Sequence, residues 1–152
     1  MGLDMKKAFI ILALLLAFGC KSIYERAPQM RSFGCSLPIN DFLEKINAIS
    51  QLEGFFVAEL DTNNNNCLLV LQKNITIKGS ANDREITADQ IRIRYSMLDG
   101  TVWYSTGIFK SYKGKANYLT PPEADQQRHI NSVNLTLDRI FMQCNPGKKL
   151  SR

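Results

Sequence analysis

Two stretches of alternating residues, joined by Asp99-Gly100, constrain the fold of this 152-residue chain most strongly. Apolar side chains fall on every second position on both sides of that dipeptide, chiefly at Ile91, Ile93, Tyr95, Met97, Val102, Tyr104 and Ile108. A period of two indicates a strand with one buried face. Asp-Gly tolerates the positive φ angles of a two-residue hairpin turn. The sequence therefore predicts a β-hairpin with one apolar face, in which Leu98 pairs with Thr101 and Tyr95 with Tyr104.

Two amphipathic helices are predicted on either side of the strands. Between Pro38 and Leu52 apolar residues recur at three- and four-residue steps, which indicates a helix with one apolar stripe. Ser36 is the expected N-cap of this helix. The segment from Thr120 to Glu123 matches a capping box with proline at the first helical position, and it opens a second helix that runs to Gln143.

The strand segments complete the predicted architecture. Phe55 to Leu60 and Cys67 to Lys78 precede the hairpin as two further strands, separated by an asparagine-rich turn. The element order is therefore helix, four strands, helix. The fold class that this order favours is α+β, a two-layer sandwich in which both helices cover one face of a four-stranded antiparallel meander.

The N-terminal stretch indicates where the protein is sent. Lys6 and Lys7 precede an apolar run from Ala8 to Gly19, which is the pattern of a secretory signal peptide. The run is too short for the roughly 20 apolar residues that a membrane-spanning helix needs. An amphipathic core helix would show a polar face, and this run has none.

The end of that stretch, Ala17-Phe18-Gly19-Cys20, resembles the lipobox of bacterial lipoproteins. The resemblance implies that Cys20 is lipidated, with fatty acids such as palmitate, and anchors the protein to a membrane. Lys21 after the cysteine implies the outer membrane, with the domain facing the periplasm. An ordinary secretory signal is the alternative. The expected segments are a signal peptide at 1–19, a lipidated tether at 20–36, a periplasmic domain at 37–145 and a basic tail at 146–152.

Three cysteines remain for the folded domain, and they allow three pairings. Cys35 and Cys144 lie just outside the first and last regular elements, so we expect a disulfide between them. In an oxidising compartment such a bridge persists. Cys67 begins an apolar strand and is expected to be a buried free thiol.

The polar face of the hairpin is the predicted partner-binding surface. It carries Arg92 and Arg94 on one strand and Trp103 and Phe109 on the other, a mixture typical of adhesive surfaces. We extend the surface to a basic loop that contains the lysines Lys110, Lys113 and Lys115. The alternative is that these residues are ordinary solvated strand cover.

From Asp41 to Cys144 the chain resembles small envelope lipoproteins that assist lipid transporters or lipopolysaccharide assembly. The resemblance lies in an apolar strand, a strand with Arg and Tyr, an Asp-Gly turn and a late helix, here 67–71, 92–95, 99–100 and 122–144. It implies an accessory subunit that binds an envelope protein complex. A net charge of +5 leaves a rival, a module that binds anionic lipopolysaccharide or peptidoglycan. Surface display toward host molecules is a third reading. Nucleic acid is not an expected partner outside the cytoplasm.

No residue pattern in the chain predicts catalysis. His129, the only histidine, lies in a polar stretch of the second helix and is expected to be exposed. Glu85, Asp89, Glu123 and Asp125 show no spacing that implies an acid–base pair, so caps and solvated faces account for them. No cysteine pair has metal-ligand spacing. We therefore expect a protein that is not an enzyme and that uses neither metal nor cofactor.

Overall fold

A computed structural model describes residues 30–63, 65–80, 83–113, 115–119 and 123–151. The fold is α+β, as the sequence predicts. Its elements are β1 (Arg31–Gly34), α1 (Ile39–Leu52), β2 (Phe56–Asn63), β3 (Asn66–Lys78), β4 (Glu85–Ser96), β5 (Thr101–Tyr112), β6 (Lys115–Leu119) and α2 (Glu123–Cys144). The predicted signal peptide, Cys20 and most of the tether lie outside the described residues, as does most of the predicted capping box of α2.

The strands form one six-stranded sheet in the order β1-β5-β4-β3-β2, with β6 also paired to β5. All of the pairs are antiparallel. The four predicted strands are β2 to β5, which follow one another as a meander. The prediction of only four strands is wrong, because β1 and β6 extend the sheet along the outer edge of β5. With four and five residues, both are at the lower limit of length at which alternation can indicate a strand.

The hairpin of β4 and β5 has the predicted faces but not the predicted register. Tyr95 pairs with Val102 instead of Tyr104, a shift of two residues. The cause is a longer turn, in which Gly100, with φ +68°, donates its N–H to the carbonyl of Ser96 at 2.9 Å. A Cβ at Gly100 would collide with the carbonyl oxygen of Cys35, so the turn requires glycine. A shift of two residues leaves the strand side chains on their predicted faces. Met97 is the exception, because it lies in the longer turn and is exposed instead of facing the core.

One hydrophobic core joins both helices to the sheet. Most of its buried members come from α1, β3, β4, β5 and α2, and they include Phe42, Ile46, Leu69, Leu71, Ile91, Ile93, Val102, Val133, Leu137 and Ile140. The ring centroids of Phe42 and Tyr95 lie 4.7 Å apart, and the Tyr95 hydroxyl donates to the carbonyl of Leu37 at 2.7 Å. Helix α1 has Pro38 at its N-cap with no side-chain bond, so the predicted Ser36 cap is wrong.

The predicted disulfide joins Cys35 to Cys144. It connects the residue after β1 to the last residue of α2, two elements far apart in the sequence. Asn145 adds a second link at this point, because its side-chain amide donates to the carbonyl of Gly34 at 2.8 Å. Cys67 is a buried free thiol, as predicted, and burial raises its pKa.

Candidate functional site

Arg94 and Trp103 lie directly opposite each other on β4 and β5. The guanidinium carbon of Arg94 is 4.9 Å from the centroid of the indole ring, within the range of a cation–π contact. Both residues alternate with core residues such as Ile93 and Val102, so their side chains point to the other face of the sheet. The structure therefore brings together the central pair of the predicted partner-binding surface.

The neighbours of this pair supply an apolar floor. Arg92 lies opposite Ser105 on β5 and Val70 on β3, and Arg94 lies opposite Leu68. Both arginines are exposed, whereas Val70 is 4% exposed and Trp103 is half-buried. We call this surface the open face and define it by Leu68, Val70, Arg92, Arg94 and Trp103. It combines arginine head groups with a shallow apolar base.

The edge strand β2 adds acidic side chains beside the open face. Glu59 pairs with Val70 and Asp61 with Leu68, so both carboxylates are placed on the same side of the sheet. Both are exposed. The surface thus changes from acidic on β2 to basic on β4 over two strand spacings of about 4.8 Å each. This charge pattern fixes the orientation in which a charged partner can dock.

Phe109 does not belong to the open face. It follows Trp103 by six residues on β5, which corresponds to about 20 Å along the strand. It pairs with Ala88, which is fully buried, and is itself half-buried. Phe109 therefore lies at the far end of the sheet, away from the Arg94–Trp103 pair.

The predicted basic loop is instead the end of β5, a turn and the start of β6. The amine of Lys110 lies 2.9 Å from a carboxylate oxygen of Glu85, and that of Lys113 lies 2.9 Å from Asp83. Lys115 is exposed at the first position of β6. These lysines therefore form no single site with the open face, and carboxylates balance two of the three charges.

A buried polar network that the sequence patterns above do not predict lies between β4 and α2. Asp89 is fully buried, and one of its oxygens lies 2.8 Å from Nδ1 of His129. Arg128 donates two bonds to the same carboxylate, at 3.0 and 3.3 Å. Burial works to raise the pKa of Asp89, but the bonds from His129 and Arg128 outweigh it and hold the pKa below its usual value. The expectations of an exposed histidine and a solvated aspartate are wrong.

A signal for this network is present in the sequence. Asp89 continues the alternation of Ile91 and Ile93, so it occupies an inward-facing position. His129 precedes Val133 and Leu137 at four-residue steps, on the apolar stripe of the helix. Only buried groups that pair with each other can occupy such positions at low cost.

The network fixes the first half of α2 to β4. Nucleophilic catalysis would add a hydroxyl bonded to the histidine. Ser132 lies one turn further along α2, but its buried hydroxyl has no hydrogen-bond partner among the described residues. We interpret the contacts of Asp89 as structural. In the described part of the chain, no three His, Cys, Asp or Glu side chains cluster as metal ligands.

Two cavities flank α2. One of about 350 Å³ lies between the helix and the outer edge of β5, and one of about 520 Å³ lies between the helix and the segment from Lys148 to Leu150. Neither adjoins the open face. Within the ranges that the structure describes, neither helix has the length and hydropathy needed to cross a membrane.

No protein-family model matches the chain, and no curated protein matches it.

Proposed function

We propose that this chain is a lipid-anchored accessory protein of the bacterial cell envelope, which holds a partner protein of an assembly or transport complex on its open face. The observation that carries the proposal is the cation–π pair of Arg94 and Trp103, set on an apolar floor on the side of the sheet away from the core. Arginine and tryptophan are enriched among residues that dominate protein–protein binding.

The inferred layer arrangement supports this assignment. Both helices contribute to one core with the inward residues of β3, β4 and β5. From this shared core we infer a two-layer sandwich, in which both helices cover the same face of the sheet. The opposite face is then left for a partner. Antiparallel sheets commonly leave one face to solvent. Here that face carries a half-buried tryptophan beside exposed arginines, and both residue types are enriched at protein–protein interfaces.

The proposed localisation to the cell envelope rests on the N-terminal pattern that ends at Cys20. A disulfide between Cys35 and Cys144 is consistent with an oxidising compartment such as the periplasm. Two or more acyl chains anchor a protein stably, because each buried methylene contributes about 0.8 kcal/mol.

The anchor is tested by Cys20→Ser in the full chain. The serine variant has no thiol to carry the lipid, so we expect it in the soluble fraction of lysed cells, with the wild type in the membrane fraction. Because the substitution lies in the predicted tether, we expect both proteins to melt at the same temperature. A serine variant that stays in the membrane fraction contradicts the anchor.

Partner binding is tested by the double variant Arg94→Ala, Trp103→Ala. Truncating two central contact residues typically costs several kcal/mol of binding, so we expect the partner to be lost from pull-downs out of solubilised envelopes. Circular dichroism melting of the purified variant checks that the fold is kept. Recovery of every wild-type partner by the folded double variant contradicts the proposal.

The rival proposal, a module for anionic lipopolysaccharide or peptidoglycan, has less support. It relies on the net charge of +5 and on scattered basic residues, and two of these, Lys110 and Lys113, are balanced by Glu85 and Asp83. Exposed ion pairs of this kind contribute about 0–1 kcal/mol, but they lower the local positive potential that an anionic ligand needs.

A further inference from the structure

The outer edge of β5 has a gap in its pairing. β1 pairs with residues 101–104, and β6 pairs with residues 108–112. Among the described residues, no strand pairs with Ser105, Thr106 or Gly107 on that side. Cys35 donates its N–H to the carbonyl of Gly100 at 2.7 Å, so strand alternation directs the backbone N–H and C=O of Thr106 to the same edge.

The smaller cavity, of about 350 Å³, lies at this gap, and we call it the edge cavity. Helix α2 forms its apolar wall, with Leu150 from the C-terminal segment closing one side. The lining side chains of the wall are Ile130, Val133, Leu137 and Leu150, with Tyr104 from the strand. Pockets for small molecules have this character, a mainly apolar lining with a few polar groups, and occupy about 300–1,000 Å³.

The positively charged residue Arg31 lies at the rim of the edge cavity. Arg31, the first residue of β1, lines the cavity and pairs with Tyr104, two residues from Thr106. Its side chain is exposed, and it forms no ion pair with any residue that the structure describes. A guanidinium binds a carboxylate through two parallel hydrogen bonds. The backbone N–H of Thr106 would provide a further donor beside it.

We propose that the edge cavity binds a small amphiphilic carboxylate, with its anionic head at Arg31 and Thr106 and its apolar body against α2. The cavity is at the lower end of the usual size range, which favours a single short acyl chain over a whole phospholipid. This site is separate from the open face, since the helix side of the sheet carries it. It does not depend on the proposed partner binding.

The probe for this site is decanoate, titrated calorimetrically into the full-length protein below the micelle concentration of the ligand. Two further ligands separate the contributions of head and body: decanol has the chain without the charge, and acetate has the charge without the chain. We expect saturable binding of decanoate, and binding at least tenfold weaker for each of the other two, because each lacks one of the two contacts.

Three variants locate the binding. Arg31→Gln removes the charge and is expected to weaken decanoate binding about tenfold. Thr106→Phe fills the cavity and is expected to abolish binding, and a melting curve checks its fold. Lys115→Gln, which removes an exposed lysine on β6, is the matched control and should bind as the wild type does. Absence of saturable binding, or binding unchanged in Arg31→Gln, overturns the proposal, and so does binding unchanged in a folded Thr106→Phe.

Discussion

Replacing Cys35 by alanine should lower the free energy of unfolding by about 4–5 kcal/mol. The native bridge joins residues 109 apart, and closing so long a loop removes much of the conformational entropy of the unfolded chain. The measurement is chemical denaturation of wild type and variant, both without reductant. The wild type with its disulfide reduced should show nearly the same loss of stability.

Cys67→Ala is the matched control for this experiment. It also removes a buried sulfur, but Cys67 forms no bridge. Its loss leaves only a small cavity, so we expect about 1 kcal/mol. A Cys35 variant that is no less stable than the Cys67 variant would show that the bridge does not hold the fold.

Replacing Asp89 by alanine should lower the free energy of unfolding by about 3 kcal/mol or more. Removing one partner of a buried ion pair is strongly destabilising, because the remaining polar groups lose their bonds. Here His129, which is 7% exposed, and Arg128 would both lose their shared acceptor. Urea denaturation at neutral pH measures the effect. Glu44→Ala, at an exposed position of α1, is the control and should change stability by less than about 0.5 kcal/mol.

The carboxylate of Asp89 should also make the free energy of unfolding depend on pH. The pKa of Asp89 in the folded protein lies below that of the unfolded chain, which is about 3.9. Its contribution to stability is therefore fully present above the unfolded value and is lost as the pH falls through the folded value. The difference in stability between wild type and Asp89→Asn should shrink with acidification below about pH 4. If the stability difference between wild type and Asp89→Asn grows below pH 4, the lowered pKa of Asp89 is contradicted.

The hairpin shows how much of the fold a sequence pattern can predict. Alternation between Ile91 and Ile108 predicted which side chains face the core, because a period of two determines the face of a strand. It could not predict the register. Turns of two and four residues give pairings that differ by two residues, and both satisfy the same alternation. The bond from Gly100 to Ser96 selects the longer turn.

The edges of the sheet were beyond prediction for another reason. The segment from Arg31 to Gly34 has one apolar residue, Phe33, and its strand conformation depends on pairing with β5. The ring of Phe33 packs 5.2 Å from that of Phe141, whose position depends in turn on α2. Contacts between residues far apart in sequence determine the local structure here. The strand propensity of a short segment gives no information about such contacts.

The sequence predicts the central residues of the candidate site correctly, but it does not predict where the surrounding residues lie. Arg92, Arg94 and Trp103 were placed on one face by alternation alone. Phe109 lies on the same side of the sheet, but its distance along β5 places it outside the open face. The polar residues around the lysines predict a loop, because the strands β5 and β6 on both sides of the turn depend on pairing with each other. Charge partners such as Glu85 come from another strand, so the sequence near Lys110 could not reveal them.

The most direct test of partner binding by the open face compares the partners recovered by two double variants of the full chain. One removes the open-face pair, Arg94→Ala with Trp103→Ala, and the other removes the paired lysines, Lys110→Ala with Lys113→Ala. If the open face holds an envelope protein, the first variant loses the partner and the second keeps it at the wild-type level. The reverse result, with the partner kept by the first variant and lost by the second, contradicts the central claim.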